Sequence, residues 1–157
     1  MAAGSQDGAP AEPAQRLVAR IIDTLLVALP VVLVTRATLP RVTAEIVASA
    51  GMAFLLVVYD SVLHAGWGQT LGKRLTGIRV VSVPAEGTGG DGGRPSPAQA
   101  LLRAAVYAAP IAARSVPVLG AIAGIFWVTN VGLLLERPRR QALHDRIAGT
   151  AVVSIRN

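Results

Sequence analysis

Apolar positions in this chain gather into long runs, with polar and basic residues pressed into the segments between them. Ile21 to about Leu39 is mostly apolar, broken by Arg36. Pro30 inside the run predicts a kink rather than an end, because membrane helices tolerate proline. "RATLPR" (Arg36–Arg41) reads as a short polar connector. The next run, "AEIVASAGMAFLLVVYDSVLHAGW" (Ala44–Trp67), exceeds the ~20 residues that a membrane span needs. Ala44, Ala48 and Met52 fall four apart with Gly51 beside them, and small residues on one face favour close helix packing. "SPAQALLRAAVYAAPIAAR" (Ser96–Arg114) opens on Ser-Pro, a helix start, but is short, with Arg103 early and Pro110 late. "VPVLGAIAGIFWVTNVGLLL" (Val116–Leu135) is a full span carrying Gly120-x-x-x-Gly124, a close-packing motif in lipid.

The polar stretch Gly68–Pro97 cannot cross a membrane. Within it Ile78–Val83 predicts a short strand, and "EGTGGDGG" (Glu86–Gly93) a flexible loop. A second strand-like run, Thr150–Ile155, lies near the C-terminus. Residues 1–14 are small, polar and Pro/Gly-containing, without the basic region of a signal peptide. They predict a disordered tail before a membrane domain over 15–157, whose first apolar run is an uncleaved span. The expected fold is an all-α membrane protein, a small bundle of about four transmembrane helices with a short cytoplasmic strand pair.

Composition agrees. Hydrophobic residues make up 52% of the chain and charged residues 15%, yet aromatics are only 4%, so the apolarity is aliphatic. The formal charge of +6 is carried by arginine, Lys73 being the one lysine. A basic chain suits nucleic acid or an anionic membrane surface, and the hydropathy selects the lipid bilayer over nucleic acid. With no cysteine there are no disulfides or thiolate metal sites.

Arginine placement sets the expected topology, since cytoplasmic loops carry excess Lys/Arg. With four spans and both termini inside a cell (plasma) membrane, twelve of the fifteen basic residues are cytoplasmic and only Arg36, Arg41 and Arg114 are outside. If Ala98–Ala113 lies in the interface instead, the division becomes eight against seven, so four spans fit better.

The intramembrane charges are the candidate chemistry. On a helix Arg16, Arg20 and Asp23 share one face, with Asp23 roughly 10 Å deeper than Arg16 at ~1.5 Å per residue. An ion pair with these arginines would offset the burial of Asp23. Alternatively Asp23 carries a proton or cation. Asp60 is a second acid at similar depth, and the two could share an ion. Asp60 could equally accept from Arg103 or Tyr59. Together Arg16, Arg20, Asp23, Asp60 and Arg103 form an expected buried polar cluster. "GQTLGKR" fails as a phosphate loop, with Trp67 where glycine is needed and Arg74 where Ser or Thr is needed. It reads instead as an interfacial hairpin with Lys73 and Arg74 on anionic headgroups. His144-Asp145 has no nucleophile nearby, and two histidines without cysteine do not suggest zinc. Asp145 is expected to cap a turn or pair with an arginine, and His64 to lie at the interface. No enzymatic activity, metal or cofactor is expected.

"RLVARIID" (Arg16–Asp23), "GQTLGKRLTGIRVV" (Gly68–Val81) and "ALHDRIAGTAVV" (Ala142–Val153), in that order, resemble the RDD family of small bacterial membrane proteins. The family is named for one arginine and two aspartates, which the resemblance places at Arg16, Asp23 and Asp145. It implies a suggested role in transport, and cation/proton antiport is attributed to some members. Two functions therefore compete. One is a small-ion transporter exchanging protons or cations on Asp23 and Asp60, assembled as a homo-oligomer through Gly120 and Gly124. The other is a non-transporting accessory or assembly protein, bound to an unknown membrane partner, whose charges hold the fold. Full pairing of both acids in dry packing would favour the second.

Overall fold

Two helices begin on the same tripeptide, Pro-Ala-Gln, and are capped the same way. At Pro13–Thr38 (α1) the Glu12 N–H donates to Gln15 Oε1 at 3.1 Å, and at the helix opened by Pro97 the Ser96 N–H donates to Gln99 Oε1 at 2.9 Å. Proline fits a first turn because the N–H it lacks has no helical partner there. α1 is followed by α2 (Arg41–Trp67), a short α3 (Leu71–Thr76) and strand β1 (Ile78–Ser82). Then come α4 (Pro97–Ala113), α5 (Pro117–Leu135), a short α6 (Leu143–Ala148) and strand β2 (Thr150–Ser154). The structure, a computed structural model, describes residues 9–83, 93–113, 116–136 and 140–155. The expected flexible loop lies outside these except for Gly93, as do Arg114, Arg137, Arg139 and Arg156.

The apolar runs fold as expected into helices, with different ends. α1 starts at Pro13, so Arg16 and Arg20 belong to its first turns, and only Leu39 and Pro40 separate it from α2. Residues 9–14 are not a free tail. Pro10 bridges Val153, the Ala11 N–H donates to Val152 O at 3.0 Å, and Ala11 is fully buried. The hairpin after α2 is also partly helical. Thr70 caps α3, and Gly77 and Gly149 end α3 and α6 in the left-handed conformation (φ 69° and 61°) that lets a strand follow at once.

Among the described residues three helices are long and apolar enough to cross a membrane: Pro13–Thr38, Arg41–Trp67 and Val118–Leu135. α4 has 17 residues, about 25 Å at 1.5 Å per residue, short of the ~30 Å of a hydrocarbon core. The outer faces stay apolar, with Leu25, Leu29 and Leu33 on α1, Phe54 and Val58 on α2, and Ile122 and Ile125 on α5 all exposed. Exposed leucines in such numbers are stable in lipid, not in water. Inside, Val27, Leu56, Tyr107 and Ile111 form a core onto which Trp127 packs, so all four long helices meet there.

β1 and β2 pair antiparallel, Ile78 with Ser154 and Ser82 with Thr150, centred on Val80–Val152. These strands close two copies of one plan: two long helices, a six-residue helix, a left-handed glycine, a five-residue strand. The duplication is visible in sequence. "QTLGKRLTGIRVVS" (Gln69–Ser82) and "QALHDRIAGTAVVS" (Gln141–Ser154) align without a gap and place Lys73 opposite Asp145. Because the register is symmetric about Val80–Val152, a local pseudo-twofold axis relates β1 and β2.

Candidate functional site

Where the halves meet, near the sheet, charges from five elements are buried together. Asp145 lies in the first turn of α6 with no exposed surface. Its Oδ2 accepts from Arg16 Nη1 of α1 at 3.1 Å and from the Ala142 N–H at 3.2 Å, capping its own helix. Its Oδ1 accepts from Arg103 Nε of α4 at 2.8 Å. Arg16 also donates to Val152 O of β2 at 3.0 Å. Burial by itself would raise the Asp145 pKa, but Arg103, His144 and Arg16 outweigh it and hold the carboxyl well below the usual carboxylate range.

Asp23 and Asp60 do not share a site. The partners predicted for Asp23, Arg16 and Arg20, both turn elsewhere. Asp23 instead accepts three neutral donors: Tyr59 Oη at 2.8 Å, Thr70 Oγ1 at 2.6 Å and the Gly72 N–H at 2.8 Å. The last two come from α3 and its cap, so Asp23 ties the short helix to α1. A carboxylate can be buried on such donors without a counter-ion. Asp60 accepts from Arg20 Nη1 at 2.8 Å, not from Arg103 or Tyr59. The Arg20 guanidinium also lies 3.7 Å from the Tyr107 ring centre, a cation–π contact. Among the described residues no three His, Asp or Glu side chains form a set that could hold a metal.

The histidines are buried, contrary to the interfacial position expected for His64. His64 Nε2 lies 3.3 Å from Arg103 Nη1. The Leu143 N–H donates to Asn130 Oδ1 at 2.9 Å, which leaves the Asn130 amide N–H facing His144 Nδ1 at 3.3 Å. Arg103 Nη2, which can only donate, lies 3.4 Å from Nε2, so both ring nitrogens of His144 face donors. Burial, with Arg103 next among the groups opposing its charge, pushes His144 down to about 3, so it is neutral here.

Lys73 departs furthest from expectation. Arg74 is exposed, but Lys73 points inward and is 4% exposed. Among the described residues it forms no ion pair, and Nζ reaches only Thr70 Oγ1 at 3.5 Å. The duplication shows why. Asp145, its counterpart, is answered by Arg16 and Arg103. The α4 position that aligns with Arg16 after the shared Pro-Ala-Gln start is Ala100, which has no carboxylate to offer Lys73. Burial first, then Arg20 and Arg103, against the opposing pull of Asp60 and Asp23, push Lys73 down to about 7. Between that value and the ordinary 10.5 the unfolded chain holds more protons on this group than the folded one. Its contribution to stability therefore rises with pH across that window and is least favourable below about pH 7. Lys73→Met removes this dependence. In detergent, the stability difference between variant and wild type should shrink by up to about 1.4 kcal/mol per pH unit from pH 7.5 to 9.5. A difference that does not change with pH in thermal unfolding would refute the assignment.

Arg16, Arg20, Lys73, Arg103 and Tyr107 line the polar floor of a cavity of about 400 Å³, and Leu17, Val131 and Leu135 form its apolar mouth. Gly120 and Gly124 lie on α5 outside this site. A Cβ at Gly124 would meet nothing within 4 Å, so Gly124 does not pack α5 on its neighbours.

Thr70, Gly72, Asn130 and Tyr107 were not foreseen. A self-comparison of the sequence would have drawn attention to the two segments holding the first two and His144–Asp145, because their spacing repeats. Asn130 and Tyr107 sit in apolar runs and carry no such signal.

No curated protein and no solved structure matches this chain. A profile of the RDD family matches residues 10–149, from the strand-paired Pro10 through the first repeated segment and the α6 part of the second. That span holds Arg16 paired to Asp145 and Asp23 tying α3 to α1, and with it the chain belongs to the RDD family, as a membrane protein with apolar helices.

Proposed function

We propose that this is a four-crossing protein of the cell membrane, with both ends cytoplasmic, that binds and supports partners rather than catalysing a reaction or exchanging cations on Asp23 and Asp60. The topology is supported by parity. β1 and β2 pair, so the chain between them returns to one face after an even number of crossings, and a crossing by α5 favours α4 as the other. The same count holds for α1 and α2 between Pro10 and β1, since Pro10 bridges β2. A 17-residue α4 fits with modest thinning of the bilayer. The concentration of basic residues at the sheet end supports a cytoplasmic face.

One observation carries the non-transporting reading: both oxygens of Asp23 are committed to protein donors, Tyr59, Thr70 and Gly72, and Asp60 Oδ2 to Arg20. A site that loads and unloads an ion needs free acceptor oxygens. A partner helix, from a second copy or another protein, would find open space over Gly124.

Proteoliposomes holding the purified protein should show no cation-driven proton flux above empty vesicles, while Asp23→Asn lowers thermal stability in detergent by about 2 kcal/mol. Flux by the wild type that a folded Asp60→Asn variant loses would establish exchange instead. That second reading has its own support, since Asp60 Oδ1 and His64 Nδ1, one turn apart on α2, are both buried without a hydrogen-bond partner among the described residues.

A further inference from the structure

We infer that the cavity between α1 and α5 is a binding site for an anionic amphiphile, a phosphate or carboxylate headgroup on an acyl chain, with Lys73 as the group that receives the anion. The inference does not depend on whether Asp23 and Asp60 carry ions.

Three features of the cavity support it. The first is unbalanced charge. Arg16, Arg20, Lys73 and Arg103 line it, and Asp145 is the one carboxylate among its lining residues. Asp145 answers Arg16 and Arg103, and Asp60, behind the wall, answers Arg20. Lys73 is left over. A buried ammonium with a single marginal contact carries a desolvation cost that a bound anion would relieve. The second is an orphan donor. Arg16 Nε is buried and has no hydrogen-bond partner among the described residues, although both terminal nitrogens of that guanidinium are engaged.

The third is shape. The cavity volume of about 400 Å³ falls toward the lower end of the ~300–1,000 Å³ range of small-ligand sites. Its walls are graded, from charged at the floor to apolar at the mouth. Leu17, Val131 and Leu135 at the mouth are 62%, 57% and 66% exposed, so the opening lies on an apolar outer surface. α1 and α5 barely touch, which leaves a slot between two membrane helices. A free inorganic anion would gain nothing from such a mouth, and an uncharged lipid would gain nothing from the floor. An anionic headgroup with its chain in the slot uses both.

Trp127 lines the cavity and supplies the readout. The chain has two tryptophans, so Trp67→Phe leaves Trp127 as the sole emitter. In nonionic detergent, phosphatidic acid with brominated acyl chains should quench this emission saturably. Brominated phosphatidylcholine should need at least ten times the concentration. Lys73→Met, which removes a buried unpaired charge and so should fold, is expected to weaken quenching by phosphatidic acid at least ten-fold. Val131→Phe narrows the mouth and leaves the charges in place, so it should also weaken quenching if the chain occupies the slot. Excess inorganic phosphate should not displace the lipid. Equal quenching by the two lipids, or unchanged quenching in both variants, overturns the proposal. Displacement by inorganic phosphate at similar concentration would identify a free-anion site and overturn the amphiphile.

Discussion

Asp145→Ala is expected to cost this protein about 3–5 kcal/mol, enough to prevent recovery of a monodisperse protein from detergent. The figure is that for breaking a buried ion pair by removing one partner. Here the deleted carboxylate answers two guanidinium groups, and Arg16 and Arg103 have side chains only 9% and 4% exposed. Neither can turn to water without opening the seam between α1, α4 and α6. The substitution also frees the Ala142 N–H, which the same carboxylate caps. Asp145→Asn keeps an acceptor but not the charge and should lose nearly as much. Arg16→Met should cost less, because Arg103 still faces a full carboxylate. Combining Arg16→Met with Asp145→Asn should cost less than the sum of the two. Recovery from detergent and thermal unfolding of the recovered variants check the ordering, and an Asp145→Ala protein that is recovered and melts within 2 °C of wild type would contradict it.

Gly72→Ala should be nearly as damaging, by a different route. A Cβ at Gly72 would collide with Ala19 O and lie 3.0 Å from Asp23 Cγ, the first of these a backbone atom in the second turn of α1. α3 must then move away, and the Gly72 N–H would leave Asp23. Overpacking costs about 1–3 kcal/mol, and a hydrogen bond to a charged group adds roughly 1.5–3 kcal/mol, so a loss of 3 kcal/mol or more is expected. Gly66→Ala is the control. It lies in the last turn of α2, where a Cβ meets nothing within 4 Å, so alanine should leave stability unchanged or slightly higher. Equal melting temperatures for the two variants would mean that α3 does not dock as closely as described.

The two substitutions test two parts of one design. Duplication puts a short helix under each half, and each docks against the long helices by its own means. α3 uses a glycine and the acceptor oxygens of Asp23. α6 presents Asp145 to two arginines. The pseudo-equivalence of Lys73 and Asp145 turns this difference into a site, because only one of the pair has its counter-charges.

Much of the membrane architecture was legible in sequence. Long aliphatic runs specify apolar helices wherever they lie, since burial in lipid depends on composition and length and hardly on neighbours. The two strands were legible for a similar reason: β-branched runs follow a glycine in both "GIRVVS" and "GTAVVS". The buried location of Arg16, Arg20, Asp23, Asp60 and Arg103 also followed, because charges inside apolar runs cannot face lipid. Which charge meets which did not follow. Helical spacing put Asp23 beside Arg16 and Arg20, and local spacing was the wrong guide. Arg16 finds Asp145 far along the chain, Arg20 finds Asp60, and Asp23 takes donors from α3.

The sequence by itself determined that the chain enters a bilayer, how many apolar segments it offers, and that a few charges must be buried among them. Only the tertiary structure decided the pairing of those charges, the inward turn of Lys73 and the cavity beside it. Hydrophobic burial is non-directional and can be read one residue at a time. Hydrogen bonds and ion pairs are short-ranged and directional, so their partners are fixed only once packing has brought distant segments within about 3 Å.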